Sequence, residues 1–333
     1  MASKAVSVPS LRLVSGADMP QVGYVLWKVP RETTADTVYN AIELGYRLFD
    51  GAYDYQNEKE AGEGIRHAIA DGLVTREQIF ITTKLWNNYH RKEHVLKTAK
   101  RQNDTWGLGY IDLYLIHFPI ALKYIDPAEL EFPAWWVDSN RSAVAVDRVP
   151  ISETWQALED LVDIGIAKSI GVSNFSAQLI YDVQSYARHP ISALQIEHHP
   201  YLVQADLIKL AQENDIVVTA YSSFGPQSFL ELPPDFSDKA KSVSPLFLNP
   251  VVTTLAHRYS KTPAQILLRW ATQRGIAVIP KSNSKERLLQ NLDATNFNLE
   301  EDDIAAISML EIGLRFNDCK RQPIVHLSVG IYD

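Results

Sequence analysis

The chain has 333 residues, 46% of them hydrophobic and 22% charged, with a formal net charge of −8. This is the composition of an ordinary globular protein with ample chain for a core, and an acidic balance without a basic face argues against nucleic acid as a partner. No run of about 18 apolar residues occurs, so no membrane partner is expected, and residues 1–10, with one lysine, do not read as a signal peptide. The single cysteine, Cys319, cannot form an intrachain disulfide and fits a reducing compartment, so the cytoplasm is the expected location. It lies in a polar tail and reads as inert.

In chain order, residues 6–23 read as a small hairpin turning at Ser15-Gly16. Short apolar runs follow at 22–25, 47–50, 79–84, 111–118, 169–173, 193–197, 217–221 and 277–280. Helical patterns occupy 33–44, 58–70, 92–106, 152–164, 177–187, 204–213 and 263–273 between them, and 285–292 after the last. Thr33, Asn57, Ser152, Ser176 and Ser284 stand where helix caps are expected, and Gly45, Gly72, Gly107 and Gly165 stand near helix ends. Strand and helix alternating eight times predict a (β/α)₈ barrel, one domain over residues 1–333. The rival, a doubly wound open sheet, lacks its glycine fingerprint. The first strand runs into Leu26-Trp27-Lys28-Val29-Pro30, and Gly62-Glu63-Gly64 sits inside a helix. Two long connections, 120–150 with Trp135 and Trp136, and 224–249, leave the carboxyl ends of the fourth and seventh strands. They read as lids or binding loops on the active face. A tail runs from 313 to 333.

Asp50, Lys84 and His117 end three adjacent strands, and Tyr55 follows the first of them by five residues. Each has a bland explanation by itself: a cap, a snorkelling lysine, a core histidine. Four groups able to move protons on one rim are harder to explain by packing. A tyrosine is a poor acid near neutrality, and a nearby ammonium lowers its pKa. Asp50 would hold Lys84 charged, and His117 would fix a carbonyl, so the set suits protonation of an oxygen as hydride reaches carbon. It contains no nucleophile and no metal cage. Glu197-His198-His199 invites a metal reading, but adjacent side chains on a strand point to opposite faces, so no metal is expected.

For a hydride donor, Ser173, Asn174 and Gln195 are polar rim groups fit for a carboxamide, and Tyr221 offers a flat face to a nicotinamide ring. Lys281, Ser282 and Arg287 with a helix N-terminus make an anion site, where barrels commonly bind phosphate.

Three segments carry a family resemblance. Phe49-Asp-Gly-Ala-Tyr-Asp-Tyr-Gln-Asn-Glu58, Gly171-Val-Ser-Asn-Phe175 and Ile279-Pro-Lys-Ser-Asn283 resemble the three signatures of the aldo-keto reductases, in order and over nearly the whole chain. The resemblance implies Tyr55 as proton donor, supported by Lys84 and Asp50, with His117 orienting the carbonyl. It implies Ser173, Asn174 and Gln195 on the nicotinamide amide and Tyr221 on its ring. Lys281, Ser282, Asn283 and Arg287 would take the adenosine ribose and 2′-phosphate of NADPH, with Gln290 and Asn291 at the adenine. His117-Phe-Pro-Ile-Ala-Leu122, Tyr221-Ser222-Ser223-Phe224-Gly-Pro-Gln-Ser-Phe229 and Leu314-Arg-Phe-Asn-Asp318 are similar to the fungal xylose reductases within that family. In that group Trp27, Asp54 and Asn317 would line the sugar pocket, with Trp86 and Phe118 as apolar walls. Ser222 and Phe224 fall in the cofactor loop, and Lys281-Ser-Asn283 and Glu231 match positions that let some members accept NADH as well. The implied activity is reduction of D-xylose to xylitol, in D-xylose catabolism, by a homodimer. Alternatives are another aldehyde (L-arabinose, D-galacturonate, glyceraldehyde) or a cofactor-binding regulatory barrel without turnover. Two departures from the pattern are Gly23-Tyr24-Val25, where a second small residue is usual, and Cys319-Lys320-Arg321, where proline and tryptophan are usual.

Overall fold

The computed structural model describes residues 8–138, 140 and 143–318. A two-stranded antiparallel hairpin, β1 (Ser10–Arg12) and β2 (Asp18–Pro20), comes first. Eight parallel strands follow in chain order: β3 (Tyr24–Val25), β4 (Leu48–Asp50), β5 (Phe80–Leu85), β6 (Ile111–Ile116), β7 (Ala167–Ser173), β8 (Ala193–Glu197), β9 (Val217–Tyr221) and β10 (Ala277–Val278). Each pairs with its sequence neighbours. The sheet closes where Val22 bridges Val278 in parallel, with Gly23 N–H donating to Val278 O at 2.8 Å and Val278 N–H to Gln21 O at 2.9 Å. This is the expected (β/α)₈ barrel.

The helices are α1 (Arg31–Leu44), α2 (Glu58–Ala70), α3 (Lys92–Trp106), α4 (Ile151–Asp163), α5 (Ala177–Gln184), α6 (Ala205–Glu213), α7 (Pro234–Lys241), α8 (Pro250–Tyr259), α9 (Pro263–Thr272), α10 (Lys285–Leu292) and α11 (Glu301–Ser308). Helices α7, α8 and α11 go beyond the expected pattern. Helix α8 begins with an Asn249 cap that accepts from Val251 N–H and a proline at its first position. Of the expected caps, Ser284 acts as one, accepting from Arg287 N–H. Helix α1 starts two residues early and α4 one, after extended Pro30 and Pro150, because proline presets φ for the entry into a first turn. Asn57 does sit at the start of α2, yet its amide donates to Leu26 O and Val29 O, tying the β3 loop instead. Gly45 and Gly107 end α1 and α3 in the left-handed conformation.

Gly62 and Gly64 serve helix packing. A Cβ at Gly62 would sit 2.2 Å from Trp106 O, and one at Gly64 2.3 Å from Ala35 O. Only glycine lets these backbones approach so closely.

Inside the barrel, Leu48, Phe80, Leu113, Leu115, Ala193 and Ala277 are buried together, and Leu13 and Met19 of the hairpin join the same cluster. Strand parity then dictates what lies two residues further on, toward the carboxyl ends: Asp50 after Leu48, His117 after Leu115, Gln195 after Ala193. Among the described residues, no helix is long and apolar enough to cross a membrane. Cys319 and the start of the expected hairpin, Val6 and Ser7, lie outside the described residues.

Candidate active site

Lys84, with no exposure, is the hub of the rim. Its Nζ donates to Asp50 Oδ1 at 2.5 Å, to Gly51 O at 2.8 Å and to Tyr55 Oη at 3.3 Å. Gln195 Nε2 holds the other oxygen of Asp50 at 2.7 Å. Burial pushes the Asp50 carboxyl up and the Lys84 ammonium down, and their contact opposes both shifts. Tyr55 sits on a short 3₁₀ turn, Tyr53–Tyr55, directly after β4. The expectation that a neighbouring ammonium lowers its pKa is corrected. Burial first, then the negative charges of Asp50 and Asp54, hold the phenol well above its ordinary value. Tyr55 is therefore a fully protonated phenol at neutral pH.

His117 is buried, its ring 5.9 Å from that of Tyr55, 5.2 Å from Trp86 and 4.9 Å from Phe118. Burial, then the positive charge of Lys84, hold it well below the usual imidazole range, so it is neutral. Its Nδ1 is buried without a hydrogen-bond partner among the described residues.

A cavity of about 760 Å³ opens over these groups. All the expected cofactor and substrate residues line it, as do Tyr55 and His117; Asp50 and Lys84 lie beneath its floor. Trp27, Asp54, Trp86, Phe118 and Asn317 are among its lining residues. Asp54 is partly buried, and burial pushes its carboxyl up to about 7. Ser173 Oγ donates to Gln195 O at 3.0 Å, and Asn174 Nδ2 donates to His117 O at 2.9 Å. Tyr221 Oη donates to Asn174 Oδ1 at 2.7 Å and accepts from Asn317 Nδ2 at 3.0 Å. Ser222, Phe224 and Glu231 flank this part. Lys281, Ser282, Asn283, Arg287, Gln290 and Asn291, from the β10–α10 segment, line it too. Arg287 is exposed, and its guanidinium has no partner among the described residues.

Several lining residues were not singled out from sequence. Trp135 packs edge-on against Trp86 at 5.4 Å and Phe118 at 5.3 Å. Its presence in a long loop was the available signal. Lys28, in the left-handed conformation after β3, donates to Ser228 O at 2.7 Å and so joins the loops after β3 and β9. Val25, in register with Asp50, also reaches the cavity. His198 and His199 do face different surroundings: His198 stacks on Trp270 at 4.7 Å, whereas His199 Nε2 lies 2.8 Å from Glu197 Oε1.

The donor set fits a nicotinamide dinucleotide. Amides and a hydroxyl beside the catalytic groups suit a carboxamide, and two cations beside a helix N-terminus suit a phosphate. Fold and site together define a barrel enzyme whose proton-moving groups meet one cavity. The chain belongs to the aldo/keto reductase family, whose sequence model matches residues 12–312. It is 56% identical over 310 residues to a protein of Aspergillus niger named NAD(P)H-dependent D-xylose reductase, covering 93% of this chain and 96% of that one. It is 52% identical over 315 residues to an NAD(P)H-dependent pentose reductase of Pyricularia oryzae, covering 93% and 95%. A crystal structure of a Bombyx mori aldo-keto reductase in complex with NADP matches with a TM-score of 0.82 at 37% identity, covering 95% and 97%.

Proposed function

We propose that this protein is an NAD(P)H-dependent aldose reductase that converts D-xylose, taken in its open aldehyde form, to xylitol. The observation that carries the proposal is the buried relay of Asp50, Lys84 and Tyr55, which ends on a protonated phenol at the cavity floor. NADPH, when bound, supplies hydride to the carbonyl carbon. Tyr55 Oη gives its proton to the carbonyl oxygen. Burial keeps that proton in place beforehand, and the ammonium 3.3 Å away stabilises the phenolate left behind. The neutral imidazole of His117 has one N–H to donate, which orients the carbonyl. Asp50, held by Gln195, keeps Lys84 in place.

Ser173, Asn174 and Gln195 would bind the carboxamide, with Tyr221 against the ring. Ser222, Phe224 and Glu231 would follow the pyrophosphate and ribose. Lys281, Ser282, Asn283 and Arg287 would bind the 2′-phosphate end, and Gln290 and Asn291 the adenine. NADH would serve as a second cofactor. Trp27, Trp86 and Phe118 would wall the sugar, with Asp54 and Asn317 meeting hydroxyls that cost binding energy when left unpaired. A cytoplasmic location, from the single cysteine, and a homodimer, from the family resemblance, complete the proposal.

The test is NADPH oxidation with D-xylose, L-arabinose, D-galacturonate and glyceraldehyde, for wild type and Tyr55→Phe. The highest kcat/KM is expected on D-xylose. Tyr55→Phe should lose about 100-fold or more in kcat with NADPH binding retained. Preference for another aldehyde would move the substrate assignment, and an unchanged rate in Tyr55→Phe would remove Tyr55 as the acid.

A further inference from the structure

Glu197 has no part in the chemistry above, yet it is completely buried. It ends β8 two residues past Gln195 and stands in register with Tyr221 on β9. A carboxylate is tolerated in such a place only when its oxygens are paired. Here Oε1 accepts from Phe316 N–H at 2.8 Å and lies 2.8 Å from His199 Nε2, and Oε2 accepts from Asn317 N–H at 2.8 Å. One side chain on the barrel thus holds two successive backbone amides of the C-terminal tail, about 120 residues further along the sequence.

The surroundings act in the same direction. Gln204 donates to Glu197 O at 2.6 Å and accepts from Arg315 at 2.9 Å, and Lys239 donates to Arg315 O. Phe316 is buried, its ring 5.4 Å from His199 and 5.2 Å from Phe229. Burial alone would raise the Glu197 carboxyl, but the His199 bond and charge and the Phe316 amide bring it below its ordinary value, so it is ionised at neutral pH. Charge and shape both matter. A carboxylate accepts on both oxygens, whereas a glutamine would turn an NH₂ toward one of the two backbone N–H groups.

We propose that Glu197 is a positioning residue for sugar recognition: by gripping the backbone at Phe316 and Asn317, it sets the Asn317 side chain at the cavity wall, without touching substrate itself. This rests on the proposal that Asn317 faces the sugar.

The experiment compares Glu197→Gln, Asn317→Ala and the double variant, with D-xylose and with propanal, a small aldehyde lacking the sugar hydroxyls. NADPH affinity is read by protein fluorescence. Glu197→Gln is expected to raise KM for D-xylose about tenfold, with NADPH affinity and kcat/KM for propanal within about twofold. Asn317→Ala should raise KM for D-xylose similarly, and the double variant should lose no more than either alone, because both remove one interaction. An unchanged KM in Asn317→Ala would overturn the pocket assignment and this inference with it. A raised KM in Asn317→Ala beside a normal one in Glu197→Gln would overturn the inference alone. Equal losses on both aldehydes and on NADPH would reduce Glu197 to a merely structural role, which also overturns it. Should Glu197→Gln fail to fold, hydrogen exchange of the wild type decides. The Phe316 and Asn317 amides should exchange about 100-fold or more slower than an unstructured peptide, and free exchange there would refute the grip.

Discussion

Replacing Asp54 with asparagine should stabilise the protein, by an amount that grows with pH. The carboxyl is partly buried in the cavity wall, no ion pair or hydrogen bond relieves it among the described residues, and burial alone accounts for its rise from 3.8 to about 7. The folded protein therefore holds this proton more tightly than the unfolded one, whose aspartates titrate near pH ~3.9. Stability from this group is complete below that pH. It falls as pH rises toward about 7 and is constant beyond, since the native state binds the extra proton only within that window. A rise of this size corresponds to roughly 4 kcal/mol at ~1.4 kcal/mol per pH unit. Water reaching a partly exposed carboxyl reduces the expectation to about 2 kcal/mol. Asparagine keeps the shape without the charge. Urea unfolding of wild type and Asp54→Asn, without cofactor, should give curves that nearly coincide at about pH 4 and separate by about 2 kcal/mol at about pH 8. A separation that does not change with pH, or a variant less stable at the higher pH, would refute desolvation as the cause.

Arg287→Ala should weaken NADPH binding about 10- to 100-fold while changing NADH by about twofold at most, because an exposed guanidinium without a partner among the described residues answers only to the extra phosphate; equal losses in titrations of both cofactors would displace the phosphate site. Lys84→Met should cost roughly 3 kcal/mol of stability and at least about 100-fold in kcat. It leaves the Asp50 carboxyl buried with Gln195 as its one remaining side-chain partner among the described residues, and thermal unfolding with NADPH oxidation measures both effects. Gly64→Ala should destabilise by about 1–3 kcal/mol despite alanine's better helix propensity. Its Cβ would meet Ala35 O at 2.3 Å, so an unchanged melting temperature would mean that α1 and α2 separate freely.

Much of the site was legible because strand parity is a local rule. Once residues 47–50, 79–84 and 193–197 read as strands, the side chains at their carboxyl ends had to share one rim, and the structure brings Asp50, Lys84 and Gln195 into contact there. Helix starts were less legible. Thr33 and Ser152 read as caps, but Pro30 and Pro150 occupy the cap positions, and Thr33 Oγ1 bonds back to Pro30 O. Helix α8 carried a usable signal in Asn249-Pro250, hidden within a loop rich in proline and serine. The Gly62/Gly64 pair could not be explained from sequence, since the atoms excluding a Cβ belong to Trp106 and Ala35 on other helices.

The sequence by itself determined the alternation of strand and helix, hence the barrel, the face on which chemistry gathers and the residue types available there, because periodicity and turn chemistry act between near neighbours. Only the tertiary structure decided the protonation of Tyr55, the neutrality of His117 and the grip of Glu197 on a tail about 120 residues away. Desolvation and long-range pairing depend on what the rest of the protein packs around a group, and no local pattern records that.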